Sequence, residues 1–439
     1  MSHHKIAAFN FWKGHPSTDL LPNKQIIEAS QKILTTFDKT MAHYDGLNDT
    51  HPLNYGPDLG NLEVRREIAT WNDKNFNIST SNPDCINLTN GASYGLMNLL
   101  LQTTSPANGL TKRVFLVSPT YFLINAVFAD AGFSGKLSAI EEFPNGQINL
   151  DKLEHELEKI ESESPSQREI QPKDIPNTYD PTRPMKKIYN YMMYLVPTFS
   201  NPQGGSLNDA SKLRLINIAR KYNMLLVCDD VYDLLDFNSV GKDHYKYQKR
   251  LVYFDRETLP EGEKFGNTVS NATFSKLLGP GLRVGWQETA TSELANLIAS
   301  GGANMSGGTP GQLNTVIIGE LLKTGQVNQI IKKLNIVYSE RANILKRAMA
   351  KYMPTGTKVS GLEGGYFSWV TLPDGYDNEK IIAKCSELGV HLAPGKNFEV
   401  VGEELNWGKN GVRLSISYLQ ADKIDEGIKI WGDVCKQFK

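Results

Sequence analysis

Lys276 stands between a hydroxyl-rich strand end and a Gly-Pro-Gly turn in TVSNATFSKLLGPGLRVGW (268–286), a poor place for a packing residue and a good one for a nucleophile. An amine that is partly desolvated and crowded by other cations gives up its proton more easily, as attack on a carbonyl requires. Thr273 and Ser275 precede it and Arg283 follows seven residues on. Hydroxyls and a guanidinium beside a reactive amine suit a phosphate placed next to that carbonyl. Pyridoxal 5′-phosphate (PLP) carries both groups. NLTNGASYGL (87–96) reads as strand, Gly turn and helix start, and a helix N-terminus offers unpaired N–H groups to an anion. Arg413, in NGVRLSISY (410–418), carries a planar fork suited to a carboxylate.

These residues need elements to position them. From about residue 85 short apolar runs alternate with helical stretches: CINLT (85–89), RVFLVS (113–118), YMMYLVP (191–197), MLLVCDD (224–230) and NTVSNATFS (267–275), with helices over 93–103, 121–132 and 208–222. That alternation predicts an α/β fold around a mostly parallel sheet. Ligands of such sheets sit at the carboxyl ends of the strands, where each motif above lies. A helix is expected from Asn23, and YGPDLGNLEVRREIATW (55–71) reads as a Gly/Pro loop feeding an amphipathic helix. Residues 158–187 and 237–266 read as surface excursions. A long helix over 327–352, then GGYFSWVTL (364–372), GVHLAPG (389–395) and GVRLSISY (411–418), predict a small α+β unit.

The chain has 439 residues, 40% apolar and 22% charged, with a net charge of −1. It is long enough for two or more domains. The charge balance gives no electrostatic case for nucleic acid or an anionic membrane as partner. No apolar run approaches the roughly 20 residues of a membrane span. The N-terminus has neither the apolar stretch of a secretory signal nor the composition of a transit peptide, so a cytoplasmic location is expected. Cys85, Cys228, Cys385 and Cys435 are scattered without a C-x-x-C pair, as reduced thiols would be, and His3–His4 is too short for a metal site.

Taken in order, the strand-end motifs resemble the fold type I PLP-dependent aminotransferases, class I/II, and within them the 2-aminoadipate and kynurenine aminotransferase branch. The resemblance runs from about residue 9 to the C-terminus. It implies a large PLP-binding domain over 51–325 with a mostly parallel seven-stranded sheet flanked by helices. It also implies a smaller α+β domain built from residues 1–50 and 326–439. It places Ala92 and Ser93 on the PLP phosphate, with Thr273, Ser275 and Arg283 completing the cup and Gly279, Pro280 and Gly281 allowing close backbone approach. Tyr121 would stack on the pyridine ring. Asn201, in VPTFSNPQGG (196–205), would donate to the phenolic oxygen behind a loop stiffened by Pro202. Asp229 would hold the pyridine nitrogen protonated and Tyr232 would reach the phenolate. Asp230 competes with Asp229 for that role, and the three-residue spacing to Tyr232 favours Asp229. Lys276 would form the Schiff base with the cofactor and then move protons. Arg413 and Asn201 would hold the substrate α-carboxylate, Gly14 would lie in a loop closing over it, and Tyr55 would reach the phosphate of the other subunit. Two such chains would then share their active sites as an obligate homodimer.

The implied reaction is transfer of an amino group between an L-amino acid (2-aminoadipate, aromatic or otherwise long) and a 2-oxo acid such as 2-oxoglutarate. A PLP-dependent lyase or decarboxylase on the same fold is the alternative, because loops select which bond the cofactor breaks. A transcriptional regulator would need an appended DNA-binding domain, which this chain is not expected to carry.

Overall fold

The computed structural model of the protein describes residues 8–37, 51–163, 186–308 and 310–438. His3, His4 and residues 164–185 of the first expected excursion lie outside them. In chain order the strands are β1 (Phe9–Asn10), β2 (Ile86–Thr89), β3 (Arg113–Ser118), β4 (Leu137–Glu141), β5 (Tyr191–Leu195), β6 (Met224–Cys228), β7 (Thr268–Thr273), β8 (Gly285–Thr289), β9 (Lys358–Gly361), β10 (Phe367–Thr371), β11 (Val390–His391), β12 (Ala393–Pro394) and β13 (Gly411–Ser415).

Seven of them form one sheet in the order β2-β8-β7-β6-β5-β3-β4. All run parallel except β8, which pairs antiparallel with both β2 and β7. Buried from both faces, β5 (YMMYL) and β6 (MLLVC) read as unbroken apolar runs instead of alternating ones. The interior strand β7 breaks that pattern. Its TVSNAT is wholly buried yet polar, and burial is tolerated because each polar group finds a partner. Thr268 donates to Asp255, Ser270 to Asp230 and Asn271 to Asp229.

The antiparallel turn from β7 into β8 fixes the lysine loop. Thr273 faces Gly285 in the register, and Phe274 N–H donates to the Val284 carbonyl across the loop base. Phe274 itself is pinned against Trp286, with ring centroids 4.7 Å apart, and against Trp71 at 5.9 Å. A loop closed this way brings Lys276 and Arg283 to the same end of the sheet.

A second, antiparallel sheet has the order β12-β13-β10-β9, with Arg413 of β13 opposite Trp369 of β10 and Ala393 of β12. The start of the chain is fastened to this region. β1 pairs in parallel with β11, Phe11 bonds to His391 and Ser415, and Ser17 N–H donates to the Ser417 carbonyl. Buried Arg341, from the helix Gln326–Tyr352, adds bonds to the carbonyls of Ile416 and Ser417 and to the Ser17 hydroxyl.

Several expectations need correction. The helix Leu150–Glu163 extends into the segment read as an excursion from 158, because Leu150, Leu153 and Leu157 give it a buried face that carries the helix on into its polar last turns. The stretch 237–266 contains the helix Leu251–Glu257, whose Leu251, Val252, Tyr253 and Asp255 are buried. Helix 121–132 is in fact Ile124–Phe128 followed by a wide turn over Ala129–Phe133, where Gly132 takes φ 90°. Strands β1, β4, β8 and β9 were not anticipated; β1 is only two residues long, QET and KVSG are mostly polar, and the short apolar run of LSAIE is broken by Ser138.

Candidate active site

A cavity of about 340 Å³ opens at the carboxyl ends of the parallel strands, walled by the segment Trp12–His15, by the β7–β8 loop and by Arg413. It gathers Gly14, Ala92, Ser93, Tyr121, Asn201, Asp229, Tyr232, Thr273, Ser275, Lys276, Arg283 and Arg413. Tyr55 is the exception. It lies outside the cavity, 78% exposed, with its ring against Gly307. A larger hollow of about 1140 Å³ between residues 122–137 and 375–410 shares only Phe122 with this cavity and holds none of these groups.

One end of the cavity is built for an anion. The helix Ala92–Thr103 starts there behind Gly91, with no side chain capping its first N–H groups. Gly91 has φ 85°, a backbone that favours glycine, and a Cβ at that position would have to displace the Arg283 guanidinium. Arg283 donates to the carbonyls of Pro280 (3.0 Å) and Asn90 (3.3 Å), which aims the guanidinium across the helix start. Thr273 and Ser275 hydroxyls lie 3.0 Å apart beside it. In the Gly-Pro-Gly turn, Gly279 takes φ 129°, and none of the chain's described atoms comes near the position a Cβ of Gly281 would take.

Asp229 closes the other end. Its two carboxylate oxygens accept from Tyr194 Oη (2.7 Å) and Asn271 Nδ2 (3.2 Å). Burial raises its pKa to about 6, against the pull of these donors and of Lys276. Asp230 turns away from the cavity to accept from Ser270 (2.6 Å) and lies in the field of Arg250 and Asp233. Of the two carboxylates, Asp229 is the one presented to a ligand. Asn271 also donates to the Ala92 carbonyl and accepts from Gln287, so one side chain couples the acid to the helix that starts the anion site.

Between the two ends, the Lys276 ammonium lies 5.8–6.0 Å from the ring centroids of Tyr366 and Tyr232. Burial lowers its pKa, and the charges of Arg413 and Arg283 push the same way while Asp229 opposes them. The backbone of Lys276 is fixed by Tyr366 Oη, which donates to its carbonyl at 2.9 Å. Arg413 is 3% exposed. It donates to Asn201 Oδ1 (3.2 Å) and to the Trp12 carbonyl, and its guanidinium stacks 4.2 Å from the Phe367 ring centroid. Its Nε is buried without a partner. Desolvation lowers its pKa only to about 10, so it stays charged at neutral pH. Gly14 lets the N-terminal segment press onto Phe367, since a Cβ there would come within 2.6 Å of the ring.

Sequence reasoning missed Tyr194, Asn271 and the wall residues Lys13, His15 and Phe367, whereas Trp12 belongs to the aromatic N-terminal segment (Phe9, Phe11, Trp12) that the sequence offers as a cover for an apolar or aromatic side chain. A signal for Asn271 existed: polar residues alternating in a strand that the flanking apolar strands must bury. The four cysteines are all buried, as inert thiols are. Among the described residues no cluster of side chains suits a metal ion, and no helix is long and apolar enough to cross a membrane.

The family model "Aminotransferase class I and II" matches residues 14–430. The chain belongs to that family. This aminotransferase is 47% identical to an uncharacterized protein of Saccharomyces cerevisiae over 98% of each chain. It is 26% identical to the 2-aminoadipate transaminase of Thermus thermophilus, over 97% of this chain and 90% of that one. The crystal structure of Pyrococcus horikoshii kynurenine aminotransferase, solved in complex with PMP, superposes with a TM-score of 0.74 at 25% identity, covering 99% of this chain and 92% of that one. The family binds PLP, and the cavity fits it: an uncapped helix start and Arg283 at one end, a buried carboxylate at the other, and an amine of lowered pKa between.

Proposed function

We propose that this aminotransferase moves the amino group of a long or aromatic L-amino acid to a 2-oxo acid such as 2-oxoglutarate, and that its PLP is held by the residues gathered above. The observation that carries the reading is Lys276, with its depressed pKa, lying in one cavity with Asp229 and the buried guanidinium of Arg413. When bound, PLP supplies an aldehyde that takes up the amino group and a ring that acidifies the donor's Cα–H.

The protein's share is binding, orientation and proton movement. Ala92, Ser93, Thr273, Ser275 and Arg283 hold the phosphate, the first two through backbone N–H groups. Tyr121 covers the ring, and Asn201 and Tyr232 bond its phenolic oxygen. Asp229, steadied by Tyr194 and Asn271, keeps the pyridine nitrogen protonated. Arg413 binds the substrate α-carboxylate, and its bonds to Asn201 and the Trp12 carbonyl preset its plane. Lys276 Nζ takes the proton from the donor's Cα and returns it on the other side of the transfer. A partly desolvated amine suits both halves of that task.

Arginines line the cavity only at 283 and 413 among the described residues, and both are engaged by phosphate and α-carboxylate in this reading. Strict aspartate specificity is therefore not expected. A pocket that selects by apolar contact gains only about 1–3 kcal/mol per group, which favours a broad donor range. The names of the Thermus and Pyrococcus relatives support the same choice of donors. A screen of amino donors against oxo acids, following loss of the PLP absorbance, tests it. Aspartate exceeding every long or aromatic donor in kcat/KM would overturn the substrate class. We also propose that Tyr55 serves the phosphate of a partner subunit, in keeping with its exposure and its position outside this chain's own cavity.

A further inference from the structure

One cation of the cavity lining remains unassigned after the cofactor and the α-carboxylate have been placed. That lining carries four basic side chains besides His15, namely Lys13, Lys276, Arg283 and Arg413, against the single carboxylate of Asp229. On the reading above, Arg283 goes to the phosphate, Arg413 to the α-carboxylate and Lys276 to the amino transfer. Lys13 remains. Its backbone is fixed, since the N–H groups of Trp12 and Lys13 both donate to Asn10 Oδ1 at 3.1 and 3.0 Å. Its side chain is not, because the ammonium rests 4.4 Å from the Tyr418 ring centroid and forms no ion pair among the described residues. The segment is also tied to the α-carboxylate fork, because Arg413 bonds the carbonyl of Trp12, the residue next to it. His15 feels both Lys13 and Lys276, and with burial they hold its imidazole below its usual pKa, so it adds no second charge at neutral pH.

We propose that Lys13 is the specificity-determining cation for a distal carboxylate, so that the enzyme takes dicarboxylic substrates with a long spacer through it and aromatic ones without it. The inference rests on the proposed transamination and goes beyond it by naming the group that reads the side chain. A lysine suits the task because its point charge on a flexible stem follows carboxylates at several distances. Release from the Tyr418 face costs little, since an exposed cation–π contact is weak.

The test compares wild-type holoenzyme with Lys13→Met and Lys13→Glu, using 2-aminoadipate and phenylalanine as donors and calorimetry with adipate and hexanoate as non-reacting ligands. A charge-assisted bond lost on substitution is worth roughly a tenfold to hundredfold change. Lys13→Met is expected to raise the KM for 2-aminoadipate by about that factor more than for phenylalanine, and to weaken adipate far more than hexanoate. Lys13→Glu should shift preference toward lysine or ornithine as donor. Equal losses for both donors and both acids would make Lys13 a packing residue and overturn the proposal. Wild-type protein that transaminates neither donor would instead overturn the underlying substrate reading, and this inference with it.

Discussion

At the scale of single residues, the chemistry rests on two groups whose surroundings push them in opposite senses. Lys276 is disfavoured as a cation by burial and by two arginines, and Asp229 is disfavoured as an anion by burial. On the proposed reading PLP would relieve both, by taking up the amine and offering a pyridine nitrogen to the acid. Borohydride treatment of the holoenzyme is therefore expected to leave the cofactor covalently attached at Lys276, located by peptide mass spectrometry. Lys276→Ala should lower kcat by at least roughly a hundredfold, as loss of a general base does; turnover at the wild-type rate would remove Lys276 from the mechanism. Asp229→Ala should stay folded, bind PLP weakly and lose most activity, while Asp230→Ala keeps its PLP affinity. The reverse result, read by cofactor titration, would shift the assignment by one position. Sequence spacing pointed to Asp229, and the reason it was legible is local: the two carboxylates lie on opposite sides of the backbone at the end of β6, and only one meets the cavity. The Trp12 carbonyl that presets Arg413 was not legible, since a backbone acceptor contributed across some four hundred residues leaves no mark in side-chain type.

At the scale of elements, the loop that carries Asn201 is braced by a carboxyl group no motif announces. Glu142 Oε1 accepts from Ser200 Oγ at 2.7 Å, and the Glu142 carbonyl accepts from Gln203 Nε2 at 3.0 Å. Burial raises the pKa of Glu142 to about 8. A carboxyl whose pKa is higher folded than unfolded contributes stability that is fully present below the unfolded value, near 4.5, and is lost as pH rises through 8. Glu142→Gln keeps an acceptor for Ser200 and has no charge to bury. Denaturant titrations should find it close to wild type at pH 5 and more stable by roughly 2–4 kcal/mol at pH 9. A difference that does not change with pH would refute the neutral carboxyl. Strands β2, β3, β5 and β6 and the helix Gln326–Tyr352 were legible because apolar runs and 3.6-residue periodicity mark burial directly. The short helix Leu251–Glu257 was not, because its apolar face spans two turns and is surrounded by polar sequence.

For the whole molecule, the exposed ring of Tyr55 beside Gly307 is free to meet a second subunit, as the proposed shared site requires. In a homodimer with shared sites, mixing Tyr55→Ala with Lys276→Ala protein yields hybrid dimers in which one site has both its own lysine and the partner's tyrosine. Partial recovery of activity on mixing is expected. No recovery, or an active monomer by light scattering, would refute the shared arrangement. A different consequence follows from the way β1 meets β11 and Phe11 meets Ser415. The segment that walls the cavity and the strands that hold it lie hundreds of residues apart in the chain. Phe9 and Phe11, buried in the finished fold, can be covered only after β11 and β13 have been made. This wall of the cavity is therefore among the last parts of the fold to close during synthesis.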